Sequence, residues 1–506
     1  MSKSVRVRFA PSPTGPLHIG GLRTALYNYL YAKKHQGTFV LRIEDTDQNR
    51  FVEGAEDYIV ESLNWSGIPY DEGPGKEGDF GPYKQSLRKD IYKKYVGELL
   101  EKGNAYYAFD STESLQEMRE EAESRGEKFA YGPQNRLSLD NALKLSSEEV
   151  QKRIDSGETY VIRFKTLPAQ KLFLKDEIRG HIEVDTSVLD DKILFKADGL
   201  PTYHMANIID DHLMEITHVI RGEEWLPSLP LHVALYEAFG WDAPKFAHLP
   251  LILKPNGKGK LSKRDGDKLG IPVFPLEWTD PKTGTQAMGY REGGYLPETL
   301  INTLALLGWN DATDKEFYEI DELIHRFELK RVHKSGAKFD PEKLKWFQQH
   351  YLQQADLDGL VAEFEEILKE KEIQTQTSYT KEVVRTIRER AVFVSDFWDL
   401  SFFYFASPQE FDKKSAKKAW KSTTSDLMSE FVDFLSTLND FSEENLEKEV
   451  KNWISSRDLG FGKVMQPLRL SLVGAMQGPS VFHIAASIGQ ETTLKRIHKA
   501  IHHFSE

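Results

Sequence analysis

The chain has 506 residues, 40% of them hydrophobic and 29% charged, with a net charge of −13 and no cysteine. That length implies roughly three to five folding units, and the missing thiols exclude disulfides, thiolate zinc sites and a cysteine nucleophile. No apolar run approaches the roughly 18–20 residues that span a bilayer, and Met1-Ser2-Lys3-Ser4 leads into a strand pattern without a signal peptide, so a cytoplasmic location with no membrane contact is expected.

Val5-Arg6-Val7-Arg8-Phe9 alternates apolar and charged residues, which predicts a half-buried strand. Pro11-Ser12-Pro13-Thr14-Gly15-Pro16-Leu17-His18-Ile19-Gly20-Gly21 then turns into a helix. Its apolar face is Leu22, Ala25, Leu26, Tyr29 and Leu30, and Gly37 is predicted to close it before the strand Phe39-Val40-Leu41-Arg42-Ile43. Such a turn suits a phosphate, because helix N-terminal amides and the dipole attract anions and glycine permits close approach. The spacing matches neither the dinucleotide fingerprint nor the Walker motif. His18 offers a ring donor to a phosphate oxygen, although a lone loop histidine is as readily structural.

A very polar helix from Glu113 to about Lys128 and a short strand, Tyr160-Val161-Ile162-Arg163-Phe164, mark a mixed α/β stretch. Leu249-Pro250-Leu251-Ile252-Leu253 reads as a buried strand or its exit, and Lys254-Pro255-Asn256-Gly257-Lys258-Gly259 as a turn. Lys260-Leu261-Ser262-Lys263-Arg264 follows; alone, such a loop is as readily a solvated surface loop. Pro272 to Glu298 is less regular, with Trp278 to Gly284 predicted as a loop.

From about Leu300 helical periodicity dominates. It runs through Ile301, Leu304 and Ala305 with Gly308 as a stop, then Phe364, Ile367 and Leu368, then Phe393, Phe397 and Trp398. Lys413, Lys417 and Lys421, with Lys414 and Lys418 beside them, are predicted to share one side of a helix. The acidic net charge argues mildly against nucleic acid, but a local basic face still suits RNA.

The turn His18-Ile19-Gly20-Gly21 and the loop Lys260 to Arg264, in this order and at this distance, resemble the two hallmarks of class I aminoacyl-tRNA synthetases. Arg8 to Gly15, Arg42-Ile43-Glu44-Asp45-Thr46-Asp47, Gly199 to Asn207, Asp210-Asp211-His212 and Val219 to Glu224 resemble blocks of the bacterial-type glutamyl-tRNA synthetases. The resemblance implies an α/β fold: a split Rossmann-like catalytic domain over 1–88 and 190–250 with a mixed α/β insertion, 89–189, that grips the tRNA acceptor end. A stem-contact region with the lysine loop, 251–335, and an all-α anticodon-binding domain, 336–506, would follow. Gln466-Pro467-Leu468-Arg469 to Gly478-Pro479 resembles the end of that domain, and the stretch near 274–290 is longer than the family leads one to expect.

The implied reaction activates glutamate with ATP to glutamyl-adenylate and transfers it to the terminal adenosine of tRNA(Glu). The resemblance carries Lys263, His18 and Lys260 over as catalytic groups, and Thr14, His18, Gly20, Gly21, Lys260, Ser262, Lys263 and Arg264 as ATP-binding. Arg8, Ala10, Ser12, Glu44, Tyr203, Asn207 and Arg221 match the glutamate site, with the arginines on the side-chain carboxylate and Glu44 on the ammonium. The Gly20 and Gly21 amides are expected to hold phosphate. The acid cluster Glu44-Asp45-Asp47 invites a metal, but Mg²⁺ more plausibly arrives with ATP. Ala105 to Asp110 lacks the thiols with which some relatives hold zinc, so no zinc is expected. A monomer is expected by resemblance. A glutaminyl-tRNA synthetase is disfavoured by the two arginines and the helical C-terminal half, a small adenylyltransferase by length, and an inactive RNA-binding scaffold by the intact motifs.

Overall fold

The computed structural model describes residues 4–167, 171–186 and 189–505, so Met1, Ser2 and Lys3 of the leading segment lie outside the described residues. The chain forms two compact units, Met1–Leu344 and Lys345–Glu506.

In the first unit β1 (Arg6–Phe9), α1 (Ile19–Lys34) and β2 (Thr38–Leu41) open the chain, followed by α2 (Ala55–Trp65) and α3 (Lys89–Glu101). A mixed stretch holds β3 (Ala105–Ala108), α4 (Thr112–Ser124), α5 (Ser147–Asp155), β4 (Val161–Phe164), β5 (Lys171–Asp176), β6 (Gly180–Asp185) and β7 (Ile193–Phe195). The chain continues with α6 (Tyr203–Leu213), β8 (His218–Gly222), α7 (Leu229–Phe239), β9 (Lys245–Leu249), β10 (Ile252–Leu253) and α8 (Lys263–Leu269). β11 (Trp278–Thr279), β12 (Gln286–Ala287), α9 (Pro297–Leu306), α10 (Ile320–Arg326) and β13 (Ala337–Lys338) complete it.

The main sheet runs β2-β1-β8-β9-β5-β6, with parallel pairing from β2 through β9 to β5 and an antiparallel β5–β6 edge hairpin. Alternate residues serve different cores: Val7, Phe39, Leu41 and Ile220 join one cluster, whereas Val40 and Val219 join another that contains Met205 and Leu235. A parallel sheet covered on both faces demands this. β1 is therefore fully buried rather than half-buried, and its arginines need partners: Arg6 pairs with Glu72 at 2.8 Å and Arg8 with Asp211 at 3.0 Å. At the end of α1 the left-handed residue is Gln36, at φ 51°, not Gly37. Gly37 is needed for space, since a Cβ there would run into the Val5 carbonyl oxygen.

The stretch expected to be an irregular loop is a hairpin, with Trp278 paired to Ala287 and the Asp280 carboxylate capping the turn from Lys282 and Thr283 N–H. Trp278 is buried edge-on against Tyr58, ring centroids 5.3 Å apart.

The second unit is helical in its described residues, closing with α-helices over Gly462–Val473, Val481–Ile488 and Gln490–Ser505. Buried Arg496 ties three of its segments, donating to the carbonyls of Phe403 (2.5 Å) and Leu472 (3.1 Å). The lysine helix is short, Lys413–Ala419, and ends before Lys421, whose ammonium instead bonds the Lys417 carbonyl at 2.5 Å. Only Lys413, Lys414, Lys417 and Lys418 of the predicted lysine face are on that helix. Among the described residues no helix is long and apolar enough to cross a membrane.

Candidate active site

A cleft of about 590 Å³ opens at the carboxyl ends of β1, β8 and β9, where a parallel sheet leaves room for a ligand. Arg8, Ala10, Ser12, Glu44, Tyr203, Asn207 and Arg221 line it, as do His18, Gly20, Gly21, Lys260, Ser262 and Lys263. Thr14 and Arg264 do not: Thr14 turns outward with its N–H on the Ser12 carbonyl (2.9 Å), and Arg264 is exposed on the first turn of α8.

At the nucleotide-like end, His18 caps α1. Its Nδ1 accepts the Gly20 N–H at 3.1 Å, while Ile19 N–H donates to the Val273 carbonyl (2.9 Å) and Gly21 N–H to the His18 carbonyl (2.8 Å). The Gly20 and Gly21 amides expected to meet phosphate are thus already engaged. What remains is His18 Nε2, buried and without a protein partner. Burial, helped by the charge of Lys260, lowers the His18 pKa to about 4, so at neutral pH the ring is neutral, Nδ1 accepts and the proton sits on the buried Nε2. At Gly21 a Cβ would lie 2.6 Å from Leu17 Cδ1, so a side chain there would require the Leu17 side chain to shift.

The lysine loop stands opposite. Gly257 and Gly259 take left-handed conformations (φ 74° and 82°) that turn the chain after β10. Ser262 and Asp265 form a capping box on α8, which places Lys263 at the helix start with its ammonium 5.9 Å from the Phe274 ring. Phe274 also meets the His18 ring edge-on at 6.1 Å, so the stretch before the hairpin touches both motifs. The Lys260 side chain is more than half exposed and, among the described residues, forms one long ion pair, to Glu224 (3.3 Å).

The inner end is dense with charge. Arg8 donates to both Asp211 oxygens (3.0 and 3.3 Å), and Arg42 bridges Asp211 (2.7 Å) and Glu44 (2.9 Å). Asn207 donates to the same Glu44 oxygen at 3.0 Å, leaving the other carboxylate oxygen for a ligand. Burial raises the Glu44 pKa against the pull of Arg42 and Arg8. Burial would also raise that of Asp211, but Arg8 and Arg42 hold it below its ordinary value. Asp210 is satisfied by Arg88, Gln85 and Tyr92.

Arg221 differs from Arg8. Its donors meet His248 Nε2 (3.0 Å), the Tyr203 hydroxyl (3.2 Å), His232 Nδ1 (3.2 Å) and the Trp225 carbonyl (3.4 Å). Every one is neutral or an uncharged acceptor. The Trp225 ring stacks on Tyr203 with centroids 4.2 Å apart and roofs this corner. Asp45 accepts from Ser86 N–H and Asp47 pairs with Arg50, so the acid cluster is dispersed rather than gathered for a metal.

Several of these groups escape a sequence reading. His232, His248 and Asp176, whose carboxylate lies 2.6 Å from His248 Nδ1, carry no periodic signal and lie outside the matched blocks; Arg42 and Asp211 lie inside them, and the rule that a charge in a buried strand or helix must find a partner would have flagged their pairing.

The catalytic-domain model of the class I tRNA synthetases (E and Q) matches residues 4–346, and an anticodon-binding-domain model matches residues 348–501. A glutamate–tRNA ligase of Christiangramia forsetii is 64% identical and one of Flavobacterium johnsoniae 60% identical, each over 99% of both chains. The crystal structure of a glutamate tRNA ligase from Elizabethkingia meningosepticum, in complex with its amino acid, superposes with a TM-score of 0.96 at 53% identity over 99% of both chains.

Proposed function

The chain belongs to the class I tRNA synthetase family for E and Q, and on that premise we infer that it is a glutamate–tRNA ligase whose adenylating site is the cleft between the His18 turn and the lysine loop. The observation that carries the site assignment is the convergence of a carboxylate-ready inner end and a cationic outer end on one cavity.

The glutamate α-carboxylate attacks the α-phosphate of ATP, and pyrophosphate leaves. A ribose hydroxyl of the terminal tRNA adenosine then attacks the activated carbonyl, releasing AMP. No protein nucleophile is required, so the residues act by positioning and by stabilising charge. Lys263 and Lys260 neutralise the triphosphate as negative charge shifts to the leaving pyrophosphate. His18 donates from Nε2 to a phosphate oxygen, and Gly20 and Gly21 leave room for the nucleotide rather than donating to it. Arg221 and Arg8 receive the glutamate side-chain carboxylate, Glu44 the ammonium, with Tyr203, Asn207, Ser12 and Ala10 as walls. Thr14 and Arg264 remain nucleotide contacts only for a closed form of the loops. Mg²⁺ enters with the nucleotide and supplies charge neutralisation on its phosphates. With no cysteine in the chain, no thiolate ligand exists for zinc.

The segment 89–189 is assigned to the acceptor end, 251–335 to the stem, and 336–506 to the anticodon, in a monomeric cytoplasmic enzyme. The deciding experiment is ATP–pyrophosphate exchange with glutamate or glutamine, with and without tRNA. Exchange that requires glutamate supports the assignment; exchange driven by glutamine instead would mean that Arg8 and Arg221 serve another end.

A further inference from the structure

Arg221 is a buried guanidinium with no carboxylate within ion-pair distance among the described residues, whereas its neighbours Arg8, Arg42 and Arg88 each pair with an acid. A cation in that state is costly unless something compensates it. Its surroundings are nonetheless fully built: four acceptors engage Nε, Nη1 and Nη2, and two of them are imidazole nitrogens.

Each imidazole is fixed from behind. His248 has Nδ1 2.6 Å from Asp176 Oδ2, and both side chains are completely buried. Asp176 is itself anchored, accepting from the N–H groups of Ile178 (2.9 Å), Arg179 (2.8 Å) and His248 (3.1 Å). With the proton on Nδ1, His248 Nε2 has only a lone pair to show Arg221. His232, also completely buried, lies with Nε2 3.1 Å from His204 Nδ1, which puts its proton on Nε2 and its lone pair on Arg221. Both rings therefore accept, and both stay neutral. Burial lowers the pKa of each, and the Arg221 charge lowers it further.

We propose that Asp176, His248 and His232 are positioning residues for glutamate selection: they orient Arg221 through neutral acceptors, so that its charge stays unneutralised until a substrate carboxylate arrives. This rests on the reading that Arg221 receives the glutamate side chain. A carboxylate in direct contact would orient the guanidinium equally well but would cancel the charge that selects the substrate. Asp176 stands one imidazole ring removed, where it sets the tautomer of His248 without pairing with Arg221. The device joins three distant segments, because β5 and β9 are paired in register at Asp176 and Phe246 and β8 and β9 at Arg221 and His248.

The test is glutamate-dependent ATP–pyrophosphate exchange on the full-length enzyme with tRNA present, fitted for the KM of glutamate and of ATP separately. His248→Leu removes the acceptor and is expected to raise the glutamate KM by about tenfold or more, the scale of one unsatisfied buried donor, while the ATP KM is unchanged. His248→Gln restores an acceptor near the position of Nε2 and returns the glutamate KM to within about threefold of the parent. Asp176→Asn, folded as judged by circular dichroism, carries the same test if His248→Leu does not fold. Its amide donates to Nδ1 and turns an Nε2–H towards Arg221, donor against donor, so the glutamate KM again rises alone. Arg221→Gln raises the glutamate KM further, and adding His248→Leu to it changes nothing more, because the two act through one contact. The proposal is overturned if folded His248→Leu and Asp176→Asn keep the parental glutamate KM while Arg221→Gln loses it. If Arg221→Gln itself keeps the parental value, the assignment of Arg221 to glutamate falls, and the positioning role with it.

Discussion

At its inner end the cleft is walled by Arg8, Glu44, Asn207 and Arg221, all buried and all bonded to other buried groups. At its outer end Lys260 and Lys263 follow a glycine-turned loop, one in a long ion pair with Glu224 and the other near the Phe274 ring and within electrostatic reach of Asp280. The contrast fits what each end handles in the proposed function. A small amino acid is selected by a few directional bonds, so the groups that make them are held rigid. A triphosphate changes its charge distribution as it reacts and then departs, so exposed point charges on long, flexible side chains suit it.

Substitutions separate the two ends sharply. Asp211→Ala strands Arg8 in the interior and leaves Arg42 with Glu44 alone at hydrogen-bond distance, and is expected to cost roughly 3–5 kcal/mol of folding stability, seen as a large drop in the urea midpoint. At the other end Lys263→Ala lowers the exchange rate by about 10²–10³ with the urea midpoint unchanged. Wild-type exchange by that variant would remove Lys263 from the chemistry, and an equal loss of stability would erase the contrast.

Acid sharpens the comparison further. Burial lowers the pKa of His204, as of His18, to about 4 from an ordinary 6.5. Between those values the unfolded chain binds protons that the folded chain refuses, so stability is complete above about 6.5 and falls as the pH drops towards 4. Each such histidine contributes a slope of up to about 1.4 kcal/mol per pH unit. Asp211, held below its ordinary value, stays ionised through this window and adds nothing. Thermal melts of the parent and of His204→Gln between pH 7 and 5 check this: the variant should show the shallower decline. The smallest effect is expected where the two motifs of the outer end share a support, Phe274. Phe274→Leu keeps an apolar side chain but loses the edge contact with His18, worth about 0.5–1.5 kcal/mol, and should raise the ATP KM by about two- to tenfold without altering the glutamate KM.

Much of the local architecture was legible in the residues. The β1–α1–β2 unit, the turn at Gly257 and Gly259 and the helical character of the second unit follow from alternation, from 3.6-residue periodicity and from turn chemistry. The family blocks named the groups of the cleft, and most of those groups do line one cavity. The misreadings share a cause. Alternation in β1 looked half-exposed because Arg6 and Arg8 are charged, yet each is buried against an acid that arrives from far along the chain. The amides of Gly20 and Gly21 looked free because nothing nearby in sequence reveals that His18 folds back to cap its own helix. The lysine face looked longer than its helix because i, i+4 spacing carries no information on where a short helix stops.

Residue order by itself determined the elements, their turns and the chemical types available, because those depend on neighbours within a few positions. Which charges meet was decided only by the tertiary structure. Arg8 finds Asp211 because α6 packs on the sheet face to which β1 directs that side chain, and His248 finds Asp176 and Arg221 through the strand order β8-β9-β5, where a one-residue slip in register would send the side chains to the opposite face. In its proposed role Arg221 selects by charge, because the sheet surrounds it with neutral acceptors and, among the described residues, with no acid in ion-pair reach, an arrangement set by packing across the whole unit rather than by any local pattern.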